Sequence, residues 1–348
     1  MRIHLLGLPN APTTPAFYLD GFSQMNWRFA RMLKSLGHTV IHYGAEGSTA
    51  ECDEFVQTIS DEERTMMLNG IPYQNAAFGH GRPLWALANP RTQREIGKRK
   101  QRGDMICLIG GASQQPVCAA HHDLFVVEYS IGYVPSFAPY RVFESHVWRH
   151  WTYAANNWEH GRFFDAVIPC FYEPADFVLA PKEDFLLFVG RFTAPKGVEI
   201  ACEIAKRAGL PLYLIGYGDR SLISYGEVLG VLPTAERNAW MARARAVLCP
   251  SAFIEPFNQV ACEAQMAGTP VVATGFGGFV ETVISGVTGY LATYMPEFVQ
   301  GVRDAEKLDP LAIRRSAEAR FSVEVVTRQY QRYFDQLASL WGDGFYAQ

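Results

Sequence analysis

The sequence predicts an α/β protein built from two doubly wound, parallel-sheet domains. Three observations carry this. Short β-rich apolar runs alternate with segments of helical period, as in successive βαβ units. The rhythm breaks near the middle of the chain and then restarts. The length, 348 residues, exceeds one domain of ordinary size. Composition agrees: 49% apolar and 19% charged residues, with a mean hydropathy of −0.04, supply a substantial core and exclude global disorder.

The elements follow in order. Residues 1–7 form an apolar run too short for a signal-peptide core or a membrane span, and read as a first buried strand at 2–6. Further strands are expected at 39–43, 105–109, 124–128 and 166–169, with helical stretches between them, notably 23–36 and 140–155. Around residue 178, Pro174, Asp176, Pro181, Lys182 and Asp184 interrupt both periods and mark a boundary. The second series of strands is expected at 185–189, 210–215, 227–231, 246–249 and 270–274, and residues 321–341 form a long helical tail. The resulting division is 1–178, 179–320 and a terminal helical segment, 321–348.

Charge and cysteine usage narrow the function classes. The 31 basic and 35 acidic side chains give a net charge of −4, which argues against a surface built throughout for nucleic acid. One local exception is Arg91, Arg94, Lys98, Arg99, Lys100 and Arg102, opposed in that stretch only by Glu95. It reads either as a solvated helix face or as a contact for an anionic acceptor: nucleic acid, phosphorylated glycan or lipid surface. The seven cysteines form no CxxC or Cys/His ligand pattern. Reduced, buried thiols, a cytoplasmic location and no bound metal are expected. All nine histidines lie in the first 160 residues, so any imidazole chemistry would come from the N-terminal half.

Two segments carry chemistry. In FLLFVGRFTAPKG, a strand ends at Gly190, Arg191 follows in a loop, and Lys196 stands where the next helix begins. That places two cations and the positive end of a helix at the C-terminal edge of a parallel strand, a setting suited to a diphosphate. In VLCPSAFIEPFNQVACE, a strand leads into a loop holding Glu255, with Pro256 suited to the first turn of the following helix. Glu263 lies eight positions on, up to about 12 Å if the span is helical throughout, comparable to the reach from the sugar to the ribose of a nucleotide-sugar. The amides near Phe257, Asn258 and Gln259 are the unpaired donors of a helix N-terminus. Gly7 ends the first strand before a Pro/Thr-rich loop and reads either as a turn glycine or as a place where backbone approaches a phosphate. GYGD at 216–219 lacks the rest of a dinucleotide fingerprint, and no Asp-x-Asp occurs.

The series GRFTAPKG, EPFNQVACE, GTPVVAT, GFGGFVETV and GVTGY, spread over residues 184–292, closely resembles the retaining glycosyltransferases of family 4. The resemblance implies the GT-B fold: two Rossmann-like domains facing across a cleft, with the C-terminal helix crossing back to the N-terminal, acceptor-side domain. It implies a metal-independent enzyme of hexosyltransferase type. A sugar would pass from a UDP- or GDP-type nucleoside diphosphate to an acceptor hydroxyl, with a donor phosphate oxygen taking the acceptor proton and no cofactor beyond the donor. Arg191 and Lys196 would hold the diphosphate, Glu255 the sugar hydroxyls and Glu263 the ribose; Gly7, Gly190, Phe257, Asn258 and Gln259 would complete the donor site.

Departures from the family pattern bear on specificity. Members usually carry glycine after the EPF triplet, where this chain has Asn258, followed by Gln259; the identity of the sugar is thereby put in question. Many members carry a histidine after a central N-domain strand, where this chain has Tyr129 and Ser130, with Glu128 at the strand end. Glu128, Tyr129 and His146 are the acceptor-side candidates. Glu144, His146 and His150 share the helix expected at 140–155, the last two on one face, but without the HExxH context of a metal site. The acceptor stays open between a glycan, a small molecule and hydroxylated bases of nucleic acid. A catalytically inactive nucleotide-sugar-binding protein and a phosphorylase are the alternatives, and oligomeric state is open.

Overall fold

The computed structural model describes residues 1–17, 20–69 and 82–341. The chain divides into two compact units. The first comprises Met1–Glu144, Trp151–Ile168 and Thr327–Gln348, and the second Ser145–His150 and Pro169–Val326.

The first unit holds β1 (Arg2–Leu6), β2 (Thr39–Ala45), β3 (Glu54–Ile59), β4 (Met105–Leu108), β5 (Phe125–Ile131), β6 (Tyr140–Phe143) and β7 (Asp165–Val167). They form one parallel sheet in the order β3-β2-β1-β4-β5-β6-β7. The second unit holds β8 (Glu183–Val189), β9 (Leu212–Ile215), β10 (Glu227–Gly230), β11 (Ala244–Cys249), β12 (Val271–Thr274) and β13 (Gly289–Ala292). Their order, also all parallel, is β10-β9-β8-β11-β12-β13. Both sheets reverse direction of growth at their first strand, between β1 and β4 and between β8 and β11. Loops at the carboxyl ends of such a strand pair splay apart and leave room for a ligand.

The central strands are apolar on both faces because helices cover both sides of a parallel sheet. Leu186, Phe188, Ala246 and Leu248 are buried against Val198, Ala201, Cys202 and Ala205 of the helix Val198–Ala208. That helix ends at Gly209, whose left-handed backbone (φ 70°) lets its N–H reach the Lys206 carbonyl.

One expected element is wrong. Residues 140–155 are not a single helix: Tyr140–Phe143 is the strand β6, and a helix spans His146–Ala155. Four fully covered residues between β5 and β7 satisfy a strand as well as a helix, and a short apolar run cannot distinguish them. Glu144 therefore precedes the helix, where its carboxylate accepts from Ser130 Oγ at 2.7 Å. The edge strand β3, the strand β6 and the strand β13 lie outside the expected set. Arg141 on β6 is wholly buried and forms a bidentate pair with Asp165.

Buried imidazoles give the first unit a pH dependence. Burial holds His42 down at about 4, and burial together with the nearby N-terminal ammonium does the same for His38. An unfolded histidine titrates near 6.5. Between these values the unfolded chain binds protons that the native chain does not, so stability falls as pH drops from about 6.5 to 4 and levels off below. The slope for His42 is up to about 1.4 kcal/mol per pH unit. Urea unfolding at pH 7 and pH 4.5 should show a smaller acid loss in His42→Gln than in the wild type; equal losses would refute the assignment.

Candidate functional site

The site is assembled in the second unit by the loops that follow β8 and β11. After β8 the chain runs through Gly190 and Arg191, makes a tight turn at Ala194–Lys196, and enters the helix Val198–Ala208 through Gly197. After β11 it runs from Pro250 to Asn258 and enters the helix Gln259–Met266. The two loops are joined by the Ala252 N–H, which donates to the Pro195 carbonyl at 2.8 Å. A third loop, after β12, closes on them: the Gly278 N–H donates to the Glu255 carbonyl at 2.7 Å. A β-carbon on Gly278 would lie 2.7 Å from the Pro256 oxygen and from Phe257 Cα, so only glycine permits this approach.

These contacts bring Lys196 and Glu255 together. Lys196 Nζ lies 2.7 Å from Glu255 Oε1 and 4.9 Å from the centre of the Phe253 ring. Ser251 Oγ donates to the same Oε1 at 2.7 Å, and Asn258 Nδ2 does so at 3.0 Å. Among the described residues no donor meets Oε2. Pro256 stands outside the helix, contrary to expectation, because Asn258 is its N-cap: backbone φ 68° and ψ 88° break the helix there, and the Asn258 Oδ1 accepts the Ala261 N–H at 3.0 Å. The span from Glu255 to Glu263 is thus a turn followed by a short helix rather than one continuous helix. The amides of Phe257, Asn258 and Gln259 meet no protein acceptor among the described residues, which leaves them available to an anion.

The remaining donor-side candidates are placed as follows. Arg191 is exposed and pairs with no carboxylate among the described residues. Glu263, on the helix that Asn258 caps, pairs with Arg237 at 3.1 Å. Phe257 is buried edge-on against Phe321, 5.6 Å between ring centres. The Gln259 carbonyl accepts from the Tyr172 hydroxyl at 3.3 Å. His146 is exposed in this unit; its backbone N–H donates to Glu281 Oε2 at 2.9 Å, and its Nδ1 is 3.3 Å from Arg149 Nη2. The same guanidinium lies 3.4 Å from His150 Nε2, so a cationic side chain sits between the two imidazoles.

In the first unit, Gly7 has both backbone groups engaged: its N–H donates to the Tyr43 carbonyl at 2.7 Å and its carbonyl accepts from Gln114 Nε2 at 3.0 Å. Its amide is not free for a phosphate. Tyr129, expected on the acceptor side, points into the core and stacks on Phe29 with 3.8 Å between ring centres; adjacent strand residues face opposite sides. Glu128 is buried, and its Oε2 accepts the N–H groups of Phe137 and Ala138 at 3.0 Å each. Burial pushes its carboxyl up from the usual range, against the pull of those two amides.

The basic stretch is largely neutralised, by Glu95 within it and by carboxylates distant in sequence. Arg91 pairs with Glu63, Arg99 with Glu54 and Glu95, Lys98 with Glu95, and Lys100 with Asp123. A face so paired is a poor phosphate surface. Ser251, Arg237 and the side chain of Asn258 are the functional-site groups that sequence reasoning did not single out for these contacts. Ser251 and Arg237 belong to no motif spacing, and the αL geometry that aims the Asn258 side chain emerges only from the turn.

Residues 183–305 match the family described as Glycosyl transferases group 1. Among curated proteins, the chain is 35% identical over 153 residues to a glycogen synthase of Mycobacterium tuberculosis, covering 38% of this chain and 36% of that protein. The match thus spans about a third of that relative's length. Several solved structures resemble nearly the whole chain, among them the following two. AviGT4, a glycosyltransferase involved in avilamycin A biosynthesis, superposes with a TM-score of 0.73 at 22% identity, covering 97% of this chain and 98% of its own. Anabaena HepE in complex with UDP-glucose superposes with a TM-score of 0.71 at 16% identity, covering 98% and 100%. The fold is that of the GT-B glycosyltransferases.

Proposed function

We propose that this protein, whose residues 183–305 are those of a group 1 glycosyl transferase, moves a sugar from a nucleoside diphosphate to an acceptor hydroxyl with retention of anomeric configuration. The observation that carries the reading is Glu255, with Oε1 held by Lys196, Ser251 and Asn258 beside the unclaimed amides of a helix N-terminus. A cation and N–H donors suit a diphosphate, and a carboxylate oxygen left for the ligand suits a sugar hydroxyl.

In this mechanism Lys196 and Arg191 bind the diphosphate, Glu255 orients the sugar, and Glu263, steadied by Arg237, accepts from the ribose. As the bond from the anomeric carbon to the phosphate oxygen breaks, negative charge grows on the diphosphate. Lys196, drawn to that growing charge, stabilises the transition state more than the ground state. The acceptor oxygen bonds to the anomeric carbon on the same face, and its proton passes to the departing phosphate oxygen. Fixed protein charges supply this stabilisation, and the proposed reaction needs no metal. The solved UDP-glucose complex of HepE supports testing a UDP-sugar first. Six buried cysteines, none of them in a disulfide, support a cytoplasmic location, and no helix among the described residues is long and apolar enough to cross a membrane.

The test is a thermal-shift panel of UDP-glucose, UDP-galactose and GDP-mannose, followed by turnover of the stabilising donor with and without EDTA. A ligand that binds the native state raises the unfolding temperature. Stabilisation, EDTA-insensitive turnover and a product of unchanged anomeric configuration by NMR are expected. Stabilisation without transfer or hydrolysis would instead mark a binding protein, and inversion would overturn the retaining mechanism.

A further inference from the structure

Asn258 does more than cap a helix. At φ 68° it occupies backbone space that glycine fills without strain and asparagine tolerates. In this conformation its two side-chain atoms are divided between tasks. Oδ1 accepts the Ala261 N–H, while Nδ2 reaches back to Glu255 Oε1 at 3.0 Å. Glycine at this position would allow the same turn but contribute no donor.

A carboxylate oxygen offers two lone pairs. Oε1 of Glu255 already has three donors: Lys196 Nζ at 2.7 Å, Ser251 Oγ at 2.7 Å and Asn258 Nδ2 at 3.0 Å. Ser251 is itself buried, and its carbonyl accepts from Thr274 Oγ1 at 2.9 Å, which ties down its backbone. When a diphosphate draws Lys196 toward it, Ser251 and Asn258 still fill both lone pairs of Oε1. Only Oε2 remains for the sugar.

We propose that Asn258 is a specificity-determining positioning residue, which commits Oε1 of Glu255 to the protein so that this carboxylate meets the transferred sugar through Oε2 alone. The inference rests on the nucleotide-sugar reading above. Replacing Asn258 with glycine leaves Oε1 with Ser251 alone once Lys196 engages phosphate. One lone pair of Oε1 then opens to a further hydroxyl, beyond those that Oε2 meets.

The experiment uses whichever of UDP-glucose, UDP-galactose and GDP-mannose binds, together with its monodeoxy analogues, and measures affinities by calorimetry. Positions read by Glu255 are those whose deoxy penalty disappears in Glu255→Ala. In the wild type the positions that meet Oε2 should carry such a penalty, of about tenfold or more for a hydrogen bond to a charged group. In Asn258→Gly a further position, silent in the wild type, should acquire one. This variant relieves backbone strain and weakens the cap only slightly, and a purely structural role for Asn258 would lower affinity for all analogues alike. An unchanged pattern in Asn258→Gly would overturn the inference while leaving the nucleotide-sugar reading intact. Binding of none of the three donors would overturn both.

Discussion

Lys196→Ala should lower turnover by about a hundredfold to a thousandfold, the usual effect of losing one preorganised charge aimed at a transition state. Nζ stands 2.7 Å from Glu255 and over the Phe253 ring, so the cation is already held at the site before any ligand arrives. The fold should survive. Lys196 is partly exposed, with a side chain 23% accessible, and Glu255 Oε1 keeps Ser251 and Asn258 as donors. The unfolding temperature of the unliganded variant should therefore stay within a few degrees of wild type. Lys196→Arg should recover part of the activity, because the charge is kept while the planar fork fits a different geometry. Near-wild-type turnover in Lys196→Ala would remove the residue from the proposed mechanism.

The neighbouring substitution, Gly197→Ala, should act on architecture instead. Gly197 has φ 74°, and a β-carbon built there would lie 2.0 Å from the Pro250 oxygen and 2.7 Å from the Pro250 carbonyl carbon. Both obstacles are backbone, so no rotamer relieves them; the loops after β8 and β11 must separate. A loss of about 3 kcal/mol is expected, the upper part of the range for single substitutions, or roughly 10 °C in unfolding temperature. Activity should fall with it, because separation of these loops parts Lys196 from Glu255. Gly209→Ala is the matched control. It shares the left-handed backbone at φ 70° but has nothing within 4 Å of the added carbon, so only the conformational cost of about 1 kcal/mol should appear. Equal losses at the two sites, read by calorimetry, would show that the close approach to Pro250 is not what matters.

Much of the second unit was legible because its information is local. The strand-ending glycines, the loop cations and the glutamate pair lie in runs of a dozen residues whose types report their backbone positions directly. The first unit was less so. Tyr140–Phe143 was misread because a strand covered on both faces shows no alternation, and the facing of Tyr129 depended on a register that only its neighbours set. The stretch from Arg91 to Arg102 read either as a solvated helix face or as an anion contact because Glu54, Glu63 and Asp123, its partners, come from other elements.

By itself the sequence determined the α/β class, the repeat of the sheet rhythm and the residue types gathered at the ends of β8 and β11, since propensity, period and turn chemistry act over a few bonds. Only the tertiary structure decided which oxygen of Glu255 is occupied, which cations are already paired and which amides stay open. Those outcomes depend on distances of about 3 Å between residues far apart in the chain. Such distances are set by how the loops pack, through approaches such as those of Gly197 to Pro250 and Gly278 to Glu255.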